Sequence, residues 1–347
     1  MLTLIYFIII LLVVITIHEF GHFIFAKIFG VYVYEFSIGM GPKIISKKGK
    51  NGETDYSIRA IPIGGYVQLA GEEIDDDKKI PKNRKMYSKP AWQRFLIMFF
   101  GPMNNFILAI ILLLLYAFIW GAPVLTPTLT DVSSGSAAEA AGLVVGDTVL
   151  EVNNHKASTT DDVQLYLALT KSGQTVNFKI KRQDGNIENI NVTPRKENVD
   201  GKETYRYGIT FGGNVEKGFF KSIKYSFVKF GALMKQMAIT VKSLFTGKLS
   251  LKNMSGPIGI YSIVGSTASS GISSVIQLVA LLSVNVGFIN LIPFPAFDGG
   301  RILFLIIEKI KGSPVTTKTE NIVHAIGFVL LMILMLYITF NDILRLF

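Results

Sequence analysis

Four stretches of the chain are apolar for long enough to cross a bilayer, which takes roughly 20 residues. They are Leu2 to Ala26, Phe95 to Trp120, a run from Val275 past Ile292 that stays apolar to Ile307, and Ile322 to Ile338. The third, at 33 residues, is too long for one straight crossing, and Pro293 and Pro295 must break it inside the membrane. Broken backbone at that depth is tolerated where it lines a cavity or is buried in protein. Between the second and third stretches the pattern changes. From Pro123 to about Gly213, short apolar runs such as "TVLEVNN" and "TVNFKIKR" alternate with turn signals. Within it "TTDDVQLYLALT" reads as a helix opened by Thr and Asp in capping positions. Phe219 to Leu251 repeats Phe, Ile and Met among lysines, the pattern of a basic amphipathic helix on a membrane face. Lys229 and Lys235 inside it argue against a fifth span. The expected divisions are therefore 1–120, 121–213, 214–274 and 275–347.

Composition agrees with a membrane protein. Half of the 347 residues are hydrophobic and 17% are charged, where about 25% is usual for soluble domains. The net charge of +10 then fits lysines flanking spans beside anionic lipid, with no call for nucleic acid. Cysteine is absent, so a metal site has to be built from His, Asp or Glu. The N-terminus lacks a basic region and a small-residue cleavage site, so the first span is expected to stay. The loop between spans one and two carries 13 basic residues, and the residues before span one carry none. That bias places the loop in the cytoplasm and the region 121–274 outside.

The first span hides chemistry. It contains "ITIHEFGHFIFAK", with two histidines and a glutamate where an ionisable group is costly and marks function by default. His18 and His22 are four residues apart, so on a helix they share one face and can share a metal. Glu19 beside them is placed to act as base toward a water that such a metal activates. A catalytic metal usually takes three protein ligands. His155 lies in the external region, on the wrong side, and His324 opens span four as an interfacial histidine. Asp298 is the better candidate. His18 is nine residues from the inward end of its span at Lys27, and Asp298 is ten from Glu308. At 1.5 Å per helical residue, His18 lies roughly 13 Å deep and Asp298 comes out similar.

The run "SSGSAAEAAGLVVGDTVLEVNNHKA" resembles the PDZ domains of bacterial proteases, through Ala141, Gly142 and Leu143 and then Gly146 and Asp147. Together "HEFGH", "FSIGMGPKI", "AIPIGGYVQLAGE", "GPMNNF" and "NLIPFPAFDGGR", in that order, resemble the site-2 proteases, intramembrane zinc metalloproteases, of the bacterial regulator-of-sigma-E protease type. The resemblance covers nearly the whole chain. It implies about four transmembrane helices, a membrane-associated β-hairpin over Phe36 to Leu69, and an inserted α/β PDZ domain. It implies zinc held by His18, His22 and Asp298, with Glu19 as base and Asn290 and Pro293 holding substrate. Gly101, Pro102 and Asn105 form its G-P-x-x-N element, for which close helix packing is at least as good a role as a catalytic one. Two features depart from the pattern: the space fits one PDZ domain where two in tandem are common, and Phe297 stands where an aliphatic residue is usual.

The activity implied is hydrolysis of peptide bonds within or near transmembrane segments, at a site toward the cytoplasmic side of the cell membrane. The PDZ-like domain would then be extracytoplasmic. Substrates would be single-pass proteins trimmed beforehand, anti-sigma factors or remnant signal peptides among them. Two other classes compete, a membrane-anchored PDZ adaptor with a vestigial metal site and a metal transporter. Neither needs a base between the histidines, which is what Glu19 supplies.

Overall fold

The computed structural model describes residues 2–50, 52–72, 78–199, 202–313 and 315–345. The chain forms two compact units, Met1–Leu112 with Leu251–Phe347, and Leu113–Ser250. In chain order the first unit opens with α1 (Leu2–Ile28), β1 (Val33–Lys48), β2 (Asp55–Leu69) and α2 (Ala91–Trp120). Helix α1 stops at Gly30, whose φ of 68° suits glycine, and Val31 N–H bonds back to the Ala26 carbonyl at 2.8 Å. The chain is thereby turned straight into β1.

Strands β1 and β2 make more than a two-stranded ribbon. Residues 35–38 pair with 65–68 on one side and with 55–58 on the other, while 45–48 also pair with 55–58. The two long strands thus bend back on themselves, giving four strand segments in the order 65–69, 33–38, 55–58, 45–48. The bends fall at Gly39, Gly41 and Gly64, all with φ between 82° and 85°, a region that costs glycine nothing. Residues 65–69 form one edge of this sheet.

The second unit holds β3 (Ala122–Pro123), β4 (Leu129–Val132), α3 (Ala137–Ala140), β5 (Thr148–Val152), β6 (His155–Lys156), α4 (Thr160–Leu169), β7 (Val176–Lys181) and β8 (Ile187–Val192). It continues with β9 (Arg195–Val199), β10 (Lys202–Arg206), β11 (Ile209–Phe211), β12 (Val215–Glu216) and α5 (Phe219–Phe245). Its central sheet is antiparallel, in the order β6-β5-β7-β8. Alternate residues Val176, Phe178 and Ile180 point into a core with Leu129, Val149 and Val163. The expected cap on α4 is a full capping box of Thr159 and Asp162. Two lysines of α5 turn to α4, Lys229 onto Asp161 at 2.6 Å and Lys235 onto Asp162 at 2.8 Å. Burial works against the Lys235 charge, but the Asp162 carboxylate outweighs it and holds that ammonium above the usual lysine range.

The first unit resumes with α6 (Pro257–Ser269), α7 (Ile272–Leu291), α8 (Asp298–Lys311) and α9 (Thr317–Leu344). Residues 214–274 therefore divide between α5 in one unit and α6 in the other. Helix α6 packs on α1 and α7 around Ile10, Val264, Val275 and Leu278. Asp342 near the end of α9 is buried and accepts from Gly259 N–H at 2.8 Å. Among the described residues four helices are long and apolar enough to cross a membrane, Leu2–Ile28, Ala91–Trp120, Ile272–Leu291 and Lys318–Leu344. Their uncovered faces are apolar, as with Ile333, Leu336 and Phe340 of α9, which suits lipid.

The third apolar stretch breaks where its prolines stand. Helix α7 ends at Leu291, Ile292 turns extended ahead of Pro293, and α8 starts at Asp298. Chain 292–297 folds back so tightly that a Cβ on Gly299 would lie 2.3 Å from the Ile292 carbonyl oxygen, and one on Gly300 2.5 Å from that of Phe294. The two glycines after Asp298 are thus a packing requirement of the break.

Candidate metal centre

One buried face of α1 carries both histidines, their Nε2 atoms 3.2 Å apart. Asp298, at the first position of α8, brings Oδ2 to 3.1 Å from Nε2 of His18 and 3.4 Å from Nε2 of His22. These residues form a set whose ligand atoms all lie within 4.8 Å of one another. Tetrahedral bonds of about 2.0–2.1 Å to zinc would place such atoms about 3.3 Å apart, close to the three separations observed. The proton positions also fit. Nδ1 of His22 donates to the Ile97 carbonyl at 2.8 Å, which leaves Nε2 as a bare lone pair. The Asn105 carboxamide faces Nδ1 of His18 through its nitrogen at 3.4 Å, while its Oδ1 is buried without a partner among the described residues. Turned end for end it would accept from Nδ1–H and free Nε2 of His18 as well. Oδ2 of Asp298, despite its two nitrogen neighbours, has no hydrogen bond of acceptable geometry among the described residues. With the amide so turned all three atoms can present lone pairs, and the group could hold a metal ion.

The helix crossing that makes this possible depends on small residues. A Cβ on Gly21 would fall 2.0 Å from the Phe100 carbonyl oxygen, and one on Gly101 would fall 2.2 Å from Nε2 of His22. Asn104 donates to the Ile17 carbonyl at 3.3 Å, and Ser283 of α7 donates to the Asn105 carbonyl at 2.8 Å. The "GPMNNF" element is therefore a tight junction of α1, α2 and α7 that also reaches Nδ1 of His18.

Glu19 lies beside this cluster, its Oε2 accepting from the Val67 N–H of β2 at 3.1 Å. Both line a cavity of about 400 Å³ with His18, His22, Asn290 and Asp298. Asn290 reaches it from the last turn of α7. Pro293 does not line it; the residue is exposed within the break. His155 is stacked on Tyr166 in the second unit. Arg301 and Glu72, paired with each other, line the cavity too. So does His324, which the sequence places at an interface. Six residues past Lys318, it lies about 9 Å along its helix, whereas counting from Ile322, where the apolar run begins, puts it only about 3 Å in.

The profile of Peptidase family M50 matches residues 6–334. A Staphylococcus aureus (strain MSSA476) protein that carries a provisional zinc-metalloprotease name is 35% identical over 99% of both chains. The regulator of sigma-W protease RasP of Bacillus subtilis (strain 168) is 33% identical, again over 99% of both. The first alignment has 429 positions against 347 residues here, so at least 82 have no counterpart in this chain. Among solved structures, the PDZ domain of an SdrC-like protein from Listeria innocua is 22% identical, covering 27% of this chain and 99% of that one with a TM-score of 0.22. The chain belongs to peptidase family M50 and is a multi-pass intramembrane zinc metalloprotease of regulated proteolysis.

Proposed function

We propose that His18, His22 and Asp298 hold the zinc and that Glu19 is the catalytic base. The observation that carries this is the convergence of three lone-pair donors beside a carboxylate, in one cavity among membrane-length helices. When bound, zinc supplies Lewis acidity to a water and to the scissile carbonyl. The rest falls to the protein. The Glu19 carboxylate takes the water's proton and returns it to the leaving amine. Val67 N–H keeps one carboxylate oxygen fixed while it does so. The substrate has to lie extended, because a helical backbone keeps its carbonyls in hydrogen bonds. The edge formed by 65–69 offers it a strand to pair with, and the Asn290 amide offers a donor and an acceptor across the cavity. Pro293 then serves substrate binding by holding the break open.

The substrates we propose are single-pass membrane proteins already trimmed outside the membrane. The Bacillus subtilis relative is named for regulating sigma-W, so anti-sigma factors come first, with remnant signal peptides beside them. The lysine and arginine bias puts the active site toward the cytoplasmic side of the cell membrane. The region 121–213, read as a PDZ-like domain, then lies outside with α5 at the membrane surface, and the β1–β2 sheet enters the membrane beside the zinc.

The deciding experiment is metal analysis with a cleavage assay on a single-pass reporter. His18→Ala, His22→Ala and Asp298→Ala should each lose zinc, and Glu19→Gln should keep zinc and lose cleavage. Full zinc in Asp298→Ala would remove that residue from the site.

A further inference from the structure

His324 has a role that neither its interfacial position nor the metal site accounts for. Its Nδ1 accepts from the Ala296 N–H at 3.1 Å. A backbone N–H can only donate, so Nδ1 presents its lone pair and the ring proton of the neutral imidazole sits on Nε2. That Nε2–H is buried and has no hydrogen-bond partner among the described residues. The ring lines the same cavity as His18, Glu19, His22, Asn290 and Asp298. Buried side-chain donors without a partner are rare and costly, and they cluster where function needs them.

The ring is held in place from two sides. One turn further along α9, Gly327 meets the break so closely that a Cβ there would lie 2.4 Å from the Pro295 Cβ. Phe304 of α8 packs against the imidazole with ring centroids 5.7 Å apart. Ala296, which anchors Nδ1, has a φ of 86°, a left-handed conformation unusual for alanine. A strained residue at a cavity wall persists only when its surroundings fix it. His324 is also no fourth metal ligand. A protonated Nε2 has no lone pair to give, and the ring is absent from the group of converging ligand atoms.

We propose that His324 donates a hydrogen bond from Nε2 to a backbone carbonyl of the substrate segment in the catalytic cavity. An extended peptide in a nonpolar setting must satisfy each of its carbonyls. The 65–69 edge and Asn290 offer mixed donors and acceptors, whereas His324 offers a donor only and so selects a carbonyl. The inference rests on the protease reading above.

Two amides separate this role from the tie to Ala296. In His324→Asn the side-chain oxygen stands near the place of Nδ1 and keeps that tie, but the cavity donor is gone. In His324→Gln the amide nitrogen reaches toward the place of Nε2 and keeps the donor. The full-length protein is assayed on a single-pass reporter, with zinc content measured in parallel. Capture of uncleaved reporter is measured separately in a Glu19→Gln background. The asparagine variant should keep its zinc, lose about tenfold or more in kcat/KM, and capture reporter more weakly, while the glutamine variant stays within about threefold of the parent. An asparagine variant that works while the glutamine variant fails would leave only the tie to Ala296 and overturn the proposal. Wild-type activity in both, or zinc loss in the asparagine variant, would also overturn it. If the parent itself does not cleave, or Glu19→Gln cleaves normally, the protease reading has failed instead.

Discussion

A Cβ on Gly101 would lie 2.2 Å from Nε2 of His22, the nitrogen that faces the proposed metal. The His22 ring cannot swing aside without losing the 2.8 Å bond from Nδ1 to the Ile97 carbonyl. Gly101→Ala should therefore lower zinc content and cleavage together. Helix propensity alone gives the opposite sign, since Ala is favoured over Gly in a helix interior by about 0.8–1 kcal/mol. Gly231→Ala in α5, where nothing beyond the helix's own backbone lies within 4 Å of the added carbon among the described residues, isolates that gain and should leave zinc unchanged. Equal zinc in both variants would deny Gly101 its place against His22. At this scale much could be read in advance. The i, i+4 spacing of His18 and His22 follows from helix geometry, and the depth of Asp298 follows from counting residues. The Ile97 carbonyl and the Asn105 amide could not be read, because they sit 75 and 87 residues from their histidines and depend on how α1 crosses α2.

Helices announced themselves better than strands, for a physical reason. A membrane helix satisfies its own backbone, so length and apolarity suffice. The break in the third stretch was equally plain, because two prolines in an overlong apolar run leave no alternative. Helix α6 was hidden inside 214–274. At 13 residues it is too short to look like a span, and its burial depends on α1 and α7. The strand residues around Phe36 to Leu69 were legible, but not their pairing, because residues 35–38 pair on both sides once the strands bend back. That pairing has a consequence for Glu19. The Val67 N–H points away from the sheet to the carboxylate at 3.1 Å, so it is not needed by the strand ladder. Val67→Pro removes this donor at an edge, where proline is tolerated. Zinc should stay and cleavage should fall about tenfold or more, as for a charge-assisted hydrogen bond lost from the base. Unchanged turnover would mean that Glu19 needs no such support.

At the scale of the whole molecule, the inserted region is built to be separable. Strand β3 pairs with β12, Pro123 opposite Val215 and Ala122 opposite Glu216, so the two ends of the insertion lie side by side. Between them the fold has its own core around Val149, Phe178 and Ile180, and none of those residues is in the unit that carries the proposed metal centre. We propose that this region screens substrates by the bulk of what they carry outside the membrane. A site that unwinds and cuts transmembrane segments needs some such restraint, since single-pass proteins with intact external domains are also within its reach. Excising 124–214 and joining the ends with a short linker should leave zinc content unchanged, because His18, His22 and Asp298 all lie in the other unit. The joined protein should cleave reporters that keep a large external domain at a rate approaching that for trimmed ones, whereas the intact protein should prefer the trimmed form. The excision also strips Lys229 and Lys235 of Asp161 and Asp162, so a second variant, Lys229→Gln with Lys235→Gln in the intact chain, measures that loss alone. If the excised protein retains its zinc and still prefers trimmed reporters as strongly as the intact one, screening resides elsewhere.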